Sequence, residues 1–187
     1  MFEKRSAAAG ATPDGLGQVI VFIGSRGGVG ATTSAVSCAW LLSTERRERI
    51  ALVDVALFRD RVVLAAASHI VVFCERSLAG LRDTIRLQTL MREQAPQARL
   101  WLVEAGATGE RALIGKSEFE KGVGKALDTR LSYDPKSAGA AANSGQPLPV
   151  AAPRSPVVRE LRQLTELLAG PVQAAPKRRV FALPSLW

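Results

Sequence analysis

Residues 18–23, QVIVFI, form a short, β-branched and almost wholly apolar run, and the ten residues that follow, GSRGGVGATT, carry four glycines. A run that is apolar without alternation belongs to a strand covered on both faces, as in a parallel sheet. The turn after it is rich in the one residue that tolerates positive φ. Residues 31–44 then carry helical spacing, with Val36, Ala39, Trp40 and Ser43 near one stripe. A buried strand, a glycine turn and a helix in that order confine the chain to a layered α/β architecture with helices on both sides of a parallel sheet.

The rest of the chain continues this rhythm. Residues 50–53 (IALV) are a second apolar run ending in Asp54, and residues 69–73 (HIVVF) a third. Fourteen residues lie between Asp54 and His69, and a parallel crossover needs about a dozen, so one short helix over 62–67 suffices to connect those strands. The spacing of Leu78, Leu81, Ile85, Leu87, Leu90 and Met91 predicts a helix over 78–92. Residues 100–103 (LWLV) are the next strand, 117–126 a short helix and 129–133 a weak last strand. Asn143-Ser144-Gly145 with Pro147, Pro149, Pro153 and Pro156 predicts a long irregular loop. Residues 157–168 form an amphipathic helix on Val157, Leu161, Leu164 and Leu168, begun by Ser155-Pro156 and ended by Gly170-Pro171.

Composition sets the outer limits. With 187 residues, 47% of them hydrophobic and 22% charged, the chain has the mixture of one folded domain. The expected organisation is a tail over 1–17, a folded domain over 18–170 and a basic, proline-containing tail over 171–187 that holds Lys177-Arg178-Arg179. Two cysteines, Cys38 and Cys74, have no metal-like spacing and read as small buried hydrophobes. His69 has no second histidine to form a site with, and Trp40 and Trp101 read as core. There is neither a secretory leader nor an apolar stretch long enough to span a bilayer, so a cytoplasmic protein is expected. The net charge of +8 favours acidic partners without choosing among nucleic acid, anionic lipid and protein.

Chemistry concentrates in the glycine turn. Backbone N–H groups of Ser25, Arg26, Gly27, Gly28, Val29 and Gly30 can curl inward, and the helix that starts at Ala31 adds its partial positive charge, which together make a cradle for phosphates. A threonine hydroxyl just beyond, Thr32 or Thr33, is where magnesium would be held. The general phosphate-loop pattern is G-x-x-x-x-G-K followed by Ser or Thr, and here Ser25 stands for its first glycine and Ala31 for its lysine.

The stretch resembles the deviant Walker A loop of the ParA/MinD superfamily, usually KGGxGKT. Arg26 occupies the signature-lysine position, Gly27, Gly28 and Gly30 match, and Thr32 and Thr33 match the hydroxyl pair. IALVDVAL resembles the family's next strand, whose aspartate, here Asp54, orders the magnesium shell; the usual second acid is Ala56. SHIVVFCERSLAGLRDTIRL, YDPKSAGAAANSGQPL and APRSPVVRELRQLTELLAG resemble, in series, the CpaE/TadZ branch that serves Flp (Tad) pilus assembly. The resemblance covers about residues 18–170. It implies a P-loop NTPase-like sheet, ATP or ADP with magnesium held at Thr32 and Asp54, a homodimer across the nucleotide face, and pilus or secretion proteins as partners. It also implies a cytoplasmic location, polar or peripheral to the inner membrane, with membrane contact through the basic tail.

Departures from the pattern set further expectations. The D-x-P switch strand that senses the γ-phosphate is missing, which predicts a sheet one strand short and ATPase activity weak or lost. Glu104, in WLVEAG, stands where the family often has an asparagine for the adenine edge; Pro135 and the loop near Asn143 remain to frame a base. The family's receiver-like N-terminal domain is not in this sequence. Two rival functions stay open. Gly28-x-Gly30 after a strand, with Asp54 some twenty residues on, imitates the dinucleotide-binding fingerprint of an NAD(P)-dependent oxidoreductase, with Thr33 where its third glycine belongs. A ParA-like DNA-partitioning ATPase is the other, ranked lower because the arginines are scattered rather than striped.

Overall fold

Four runs that sequence marks as strands do pair, and all four run parallel. A computed structural model describes residues 17–53, 61–106 and 114–170 of the chain. Strands β1 (Ile20–Gly24), β2 (His69–Cys74), β3 (Arg99–Ala105) and β4 (Thr129–Leu131) form one sheet in the order β1-β2-β3-β4. Their register sets Val21 beside Ile70, Ile70 beside Leu100 and Val103 beside Thr129. The helices are α1 (Ala31–Thr44), α2 (Arg61–Ala66), α3 (Leu78–Gln94), α4 (Lys116–Val123), α5 (Pro135–Ser144), α6 (Leu148–Ala151) and α7 (Pro156–Ala169).

Because side chains alternate across a strand, each central strand feeds two cores. Val71 and Phe73 of β2 and Trp101 and Val103 of β3 pack against Cys38 and Leu41 of α1 and Leu161, Leu164 and Leu168 of α7. Ile70, Val72 and Leu102 point the other way, to Leu64 of α2, Leu87 and Met91 of α3 and Phe119 of α4. The sheet is thus the middle of three layers, the doubly wound α/β arrangement that the apolar runs predict. Full burial of one large apolar side chain stabilises by about 1.5–3 kcal/mol, and Phe73, Phe119, Ile70, Leu102 and Leu161 are all at most 1% exposed.

The start signal read at Ser155-Pro156 works as expected in α7, and α3 has a serine cap of its own. Ser77 Oγ accepts the Gly80 amide at the head of α3. In α7, Ser155 is the N-cap, Pro156 takes the first helical position, and Gly170 ends the helix with φ 66°.

Four expectations need correction. Residues 50–53 form no strand: they lie without ladder bonds, with Ile50 39%, Leu52 57% and Val53 70% exposed. Strand propensity is realised only beside a bonded neighbour, and none of the described strands pairs with this run. The irregular loop expected after Asp134 is instead α5 and α6, because Asp134 caps, Pro135 opens the helix, and the alanines of KSAGAAANS favour it. In α1 the buried face is Ser34, Ser37, Cys38, Leu41 and Leu42, while Val36 faces outward. In α3, Thr84 and Gln88 are buried although Leu78 is 72% and Ile85 40% exposed. Helix packing follows direction rather than composition at both. The expected tails, apart from Gly17, together with Asp54 and Ala56, lie outside the described residues.

Both cysteines are free and buried. Burial pushes the Cys38 thiol up to about 11, and burial followed by the Glu104 carboxylate pushes Cys74 up to about 12. The thiolate is the reactive form, so a disulfide-exchange reagent at pH 8 should label neither in the native protein and both in denaturant; stoichiometric labelling of the native chain within minutes would contradict this packing.

Candidate functional site

The glycine turn makes one backbone hydrogen bond to the sheet among the described residues and packs Val29 and Ala31 on the core beneath it. The Ser25 amide donates to the Phe73 carbonyl at 2.8 Å, extending the β1–β2 ladder by one rung. The chain then doubles back so tightly that a Cβ on Gly24 would lie 2.6 Å from Val29 Cγ2 and 2.7 Å from the Arg26 carbonyl oxygen. Gly28 and Gly30 take φ of 81° and 82°, the left-handed region that glycine enters without a Cβ clash. Gly30 is the N-cap of α1 and supplies no side chain to its free amides; the first turn carries no acid either. Three of the α1 residues nearest the loop, Ala31, Thr32 and Thr33, therefore present amides and a helix-dipole charge to whatever lies in the turn.

The side chains around the cup divide by exposure. Arg26, Thr32 and Thr33 are exposed, Val29 and Ala31 half-buried, and both of these last pack on the core beneath. The Ser25 hydroxyl is buried with no hydrogen-bond partner among the described residues, and so is Glu75 Oε1, one residue past the end of β2. By extension of the Gly24–Phe73 register, residue 75 lies opposite residue 26. Glu75 belongs to no motif; an acid directly after the run HIVVFC is its only mark in the sequence. The Thr33 carbonyl accepts from Ser37 Oγ at 2.7 Å, which fixes the first turn of α1.

Glu104 sits elsewhere on the same edge. Only 6% exposed at the end of β3, it accepts from Arg76 Nε at 2.7 Å, while Arg76 Nη1 also reaches the Ile114 carbonyl at 2.7 Å. Arg130 Nε of β4 stands 3.8 Å from the same carboxylate oxygen. The carboxylate is thus engaged by two guanidiniums. Pro135 and Asn143 lie at opposite ends of α5, about 12 Å apart at ~1.5 Å rise per residue, so the structure does not bring them together. Asp134 organises this region: its carboxylate accepts from the Ser137 amide (3.0 Å), Ser137 Oγ (2.6 Å) and, from the head of α7, Ser155 Oγ (2.6 Å). Those hydrogen bonds, Ser137 Oγ foremost, pull its pKa down to about 2. Among the described residues no group of three or more His, Cys, Asp or Glu forms a metal cage, and no helix is long and apolar enough to cross a membrane.

The resulting geometry is a backbone cup at the head of a helix, at the carboxyl edge of a doubly wound parallel sheet. No protein-family model matches the chain, and no curated protein matches it in sequence. Solved structures do match it in shape. A ParA family ATPase from Chlorobium tepidum TLS superposes with a TM-score of 0.63 at 16% identity, covering 79% of this chain and 97% of that one. The chain has the ParA/MinD P-loop NTPase fold. The MinD cell division protein of Aquifex aeolicus gives 0.62 at 14% identity over 84% of this chain and 99% of its own. A chain of the MinC:MinD cell division protein complex from the same organism gives 0.63 at 13% identity, over 86% and 99%.

Two substitutions probe the polar edge. Arg76→Ala leaves the Glu104 carboxylate only Arg130 at 3.8 Å, and removing one partner of a buried pair costs about 3 kcal/mol; urea unfolding should show a loss of that order, and a loss below about 1 kcal/mol would mean that Arg130 or solvent satisfies the carboxylate in its place. Asp134→Ala removes an N-cap, about 1 kcal/mol. Its folded pKa lies below the ordinary carboxylate value, so the stabilisation is present above about pH 4 and lost as pH falls toward 2. Melting temperatures of wild type and variant should differ at pH 7 and converge over that acid window.

Proposed function

We propose that this chain binds the phosphates of ATP or ADP in the turn over residues 25–33 and uses the bound nucleotide as a structural ligand or weak switch, with little or no hydrolysis. The observation that carries the reading is the cup itself: two glycines at positive φ, an uncapped helix start and a buried serine hydroxyl with no partner. A polyanion satisfies all of these at once. The surfaces of Gly27, Gly28 and Gly30 on the Cβ side are clear of other atoms within 4 Å, leaving room for phosphate oxygens.

The residues present fit such a group. Amides of Gly28, Val29, Gly30 and Ala31 would cradle the phosphates, the Ser25 hydroxyl would donate to an oxygen, and Thr32 would offer its hydroxyl to magnesium beside Asp54, which lies outside the described residues. A bound nucleotide with magnesium supplies a transferable phosphoryl group. This chain's part is to bind and orient; with Ala31 in place of the loop lysine it offers one charge fewer to the phosphates, and Arg26 is the exposed cation best placed to substitute. Glu104, held by Arg76 and Arg130, can accept from a base amino group only by sharing that pair; Pro135 is the other proposed base contact, with Asn143 a helix length away.

At the level of the cell we read the chain as a CpaE/TadZ-like accessory of Flp (Tad) pilus assembly or secretion: a homodimer across the nucleotide face that localises or scaffolds partner proteins, cytoplasmic and polar or peripheral to the inner membrane. The support is the serial resemblance over three separated segments together with the shared fold. The ParA-like partitioning role is compatible with the same fold. The oxidoreductase reading draws less from the structure, because residues 50–53, whose strand should end in the ribose-binding acid, form no strand.

Calorimetric titration tests this directly. ATP with magnesium should bind measurably without turnover, NADH should give no saturable quenching, and Ala31→Lys should tighten ATP by about ten- to a hundredfold, the worth of a charge-assisted hydrogen bond of ~1.5–3 kcal/mol. Failure of ATP and ADP to bind either form, with the fold intact by circular dichroism, would remove the nucleotide from the account.

A further inference from the structure

One carboxylate beside the phosphate cup has no counter-charge. Glu75 follows β2 directly, and its Oε1 is buried with no hydrogen-bond partner. No Lys, Arg or His among the described residues pairs with it. Its neighbour Arg76 is committed to Glu104 and to the Ile114 carbonyl, both at 2.7 Å. A carboxylate oxygen withdrawn from water is costly without a partner, so Glu75 calls for a cation that the described residues do not supply.

The direction of this side chain follows from its surroundings. Side chains alternate across a strand. Arg76 reaches toward Ile114, which packs with Leu102 on the α3/α4 side. Glu75 therefore continues the other side, after Val71 and Phe73, where α1 lies. Gly24 is the register partner of Phe73 on that side, and a Cβ on it would meet Val29 Cγ2 at 2.6 Å and Ala31 Cβ at 3.8 Å. Val29 and Ala31 thus lie over the Gly24–Phe73 pair, and Glu75 is the next β2 position beside them. The backbone is fixed there: the Ser77 amide donates to the Glu75 carbonyl at 2.9 Å, and a Cβ on Gly80 would fall 2.1 Å from that oxygen.

The cup is also short of positive charge. Alanine stands at position 31, Arg26 is exposed, and Glu75 adds a negative group. A nucleotide without its metal ion sets its phosphates against that carboxylate. At an effective dielectric of about 20, one like-charge pair within ~8 Å is worth more than a tenfold change in affinity. A divalent cation between the two reverses the sign. Magnesium in particular is held by one or two carboxylates with substrate phosphates and water, rather than by an all-protein cage, and the described residues form no such cage.

We propose that Glu75 is a specificity-determining residue of the cup: its carboxylate, set beside Ala31 on the α1 side, admits a nucleotide that carries a divalent cation and rejects the bare polyanion. This rests on the nucleotide reading above and adds to it the residue that makes the metal obligatory.

Titration of the full chain with ADP, once in excess magnesium and once in EDTA, tests it on wild type, Glu75→Gln and Glu75→Ala, with circular dichroism reporting the fold. The readout is the ratio of the two affinities. Both variants should lower that ratio by about tenfold or more, chiefly through tighter metal-free binding. Gln keeps the volume of the side chain and Ala does not, so agreement between them assigns the effect to charge rather than packing. A folded variant that binds ADP with the wild-type ratio, to within about twofold, would overturn the proposal and leave the nucleotide reading standing. Equal tightening with and without magnesium would do the same. Absence of ADP binding to every form under both conditions would remove the nucleotide reading and this proposal together.

Discussion

A parallel sheet tolerates no wet face, and β2 is where this chain meets that demand most completely. Val71, Val72, Phe73 and Cys74 are all 0% exposed, each side chain closed by a helix layer and each backbone group shared with β1 or β3. The other elements take their places from it. Helices α1 and α7 exist as packed objects because β2 and β3 offer Phe73, Trp101 and Val103 on one side; α3 and α4 because they offer Ile70, Val72 and Leu102 on the other. The phosphate-type cup depends on the same strand, since its one anchoring rung is the bond from Ser25 to Phe73.

Much of this was legible in sequence because the physics involved is local. Unbroken apolar runs marked β1, β2 and β3, and the Ser155-Pro156 start and glycine stop marked α7 to within a residue. The glycine turn was legible for the same reason: Gly28 and Gly30 occupy conformations that other residues resist, so their spacing carries shape. What could not be read depends on neighbours. Residues 50–53 have a strand's composition but no bonded partner, and the proline count after Asp134 concealed a helix whose cap is made by that aspartate.

The buried faces of α1 and α3 show the same limit from another side. Periodicity predicts a stripe, yet Thr84 and Gln88 are inside while Leu78 and Ile85 are out, because direction is set by where the adjoining strands place the helix ends. The site repeats the lesson. Ser25, Gly28, Gly30 and the head of α1 assemble as their spacing implies, whereas the engagement of Glu104 by Arg76, and the unpartnered Glu75 beside the loop, follow from strand register that no linear motif records.

The two ends of this carboxyl edge are built to different stiffness. From β2 to β4, Arg76, Glu104 and Arg130 clamp three strands side by side, and Asp134 rivets the heads of α5 and α7 to the end of β4. At β1 the glycine turn has a single backbone rung, with Val29 and Ala31 packed on the core below it. Side-chain ion pairs thus cross-link the strands on one flank of this edge, whereas the flank that carries the cup relies on one backbone bond and on that apolar packing.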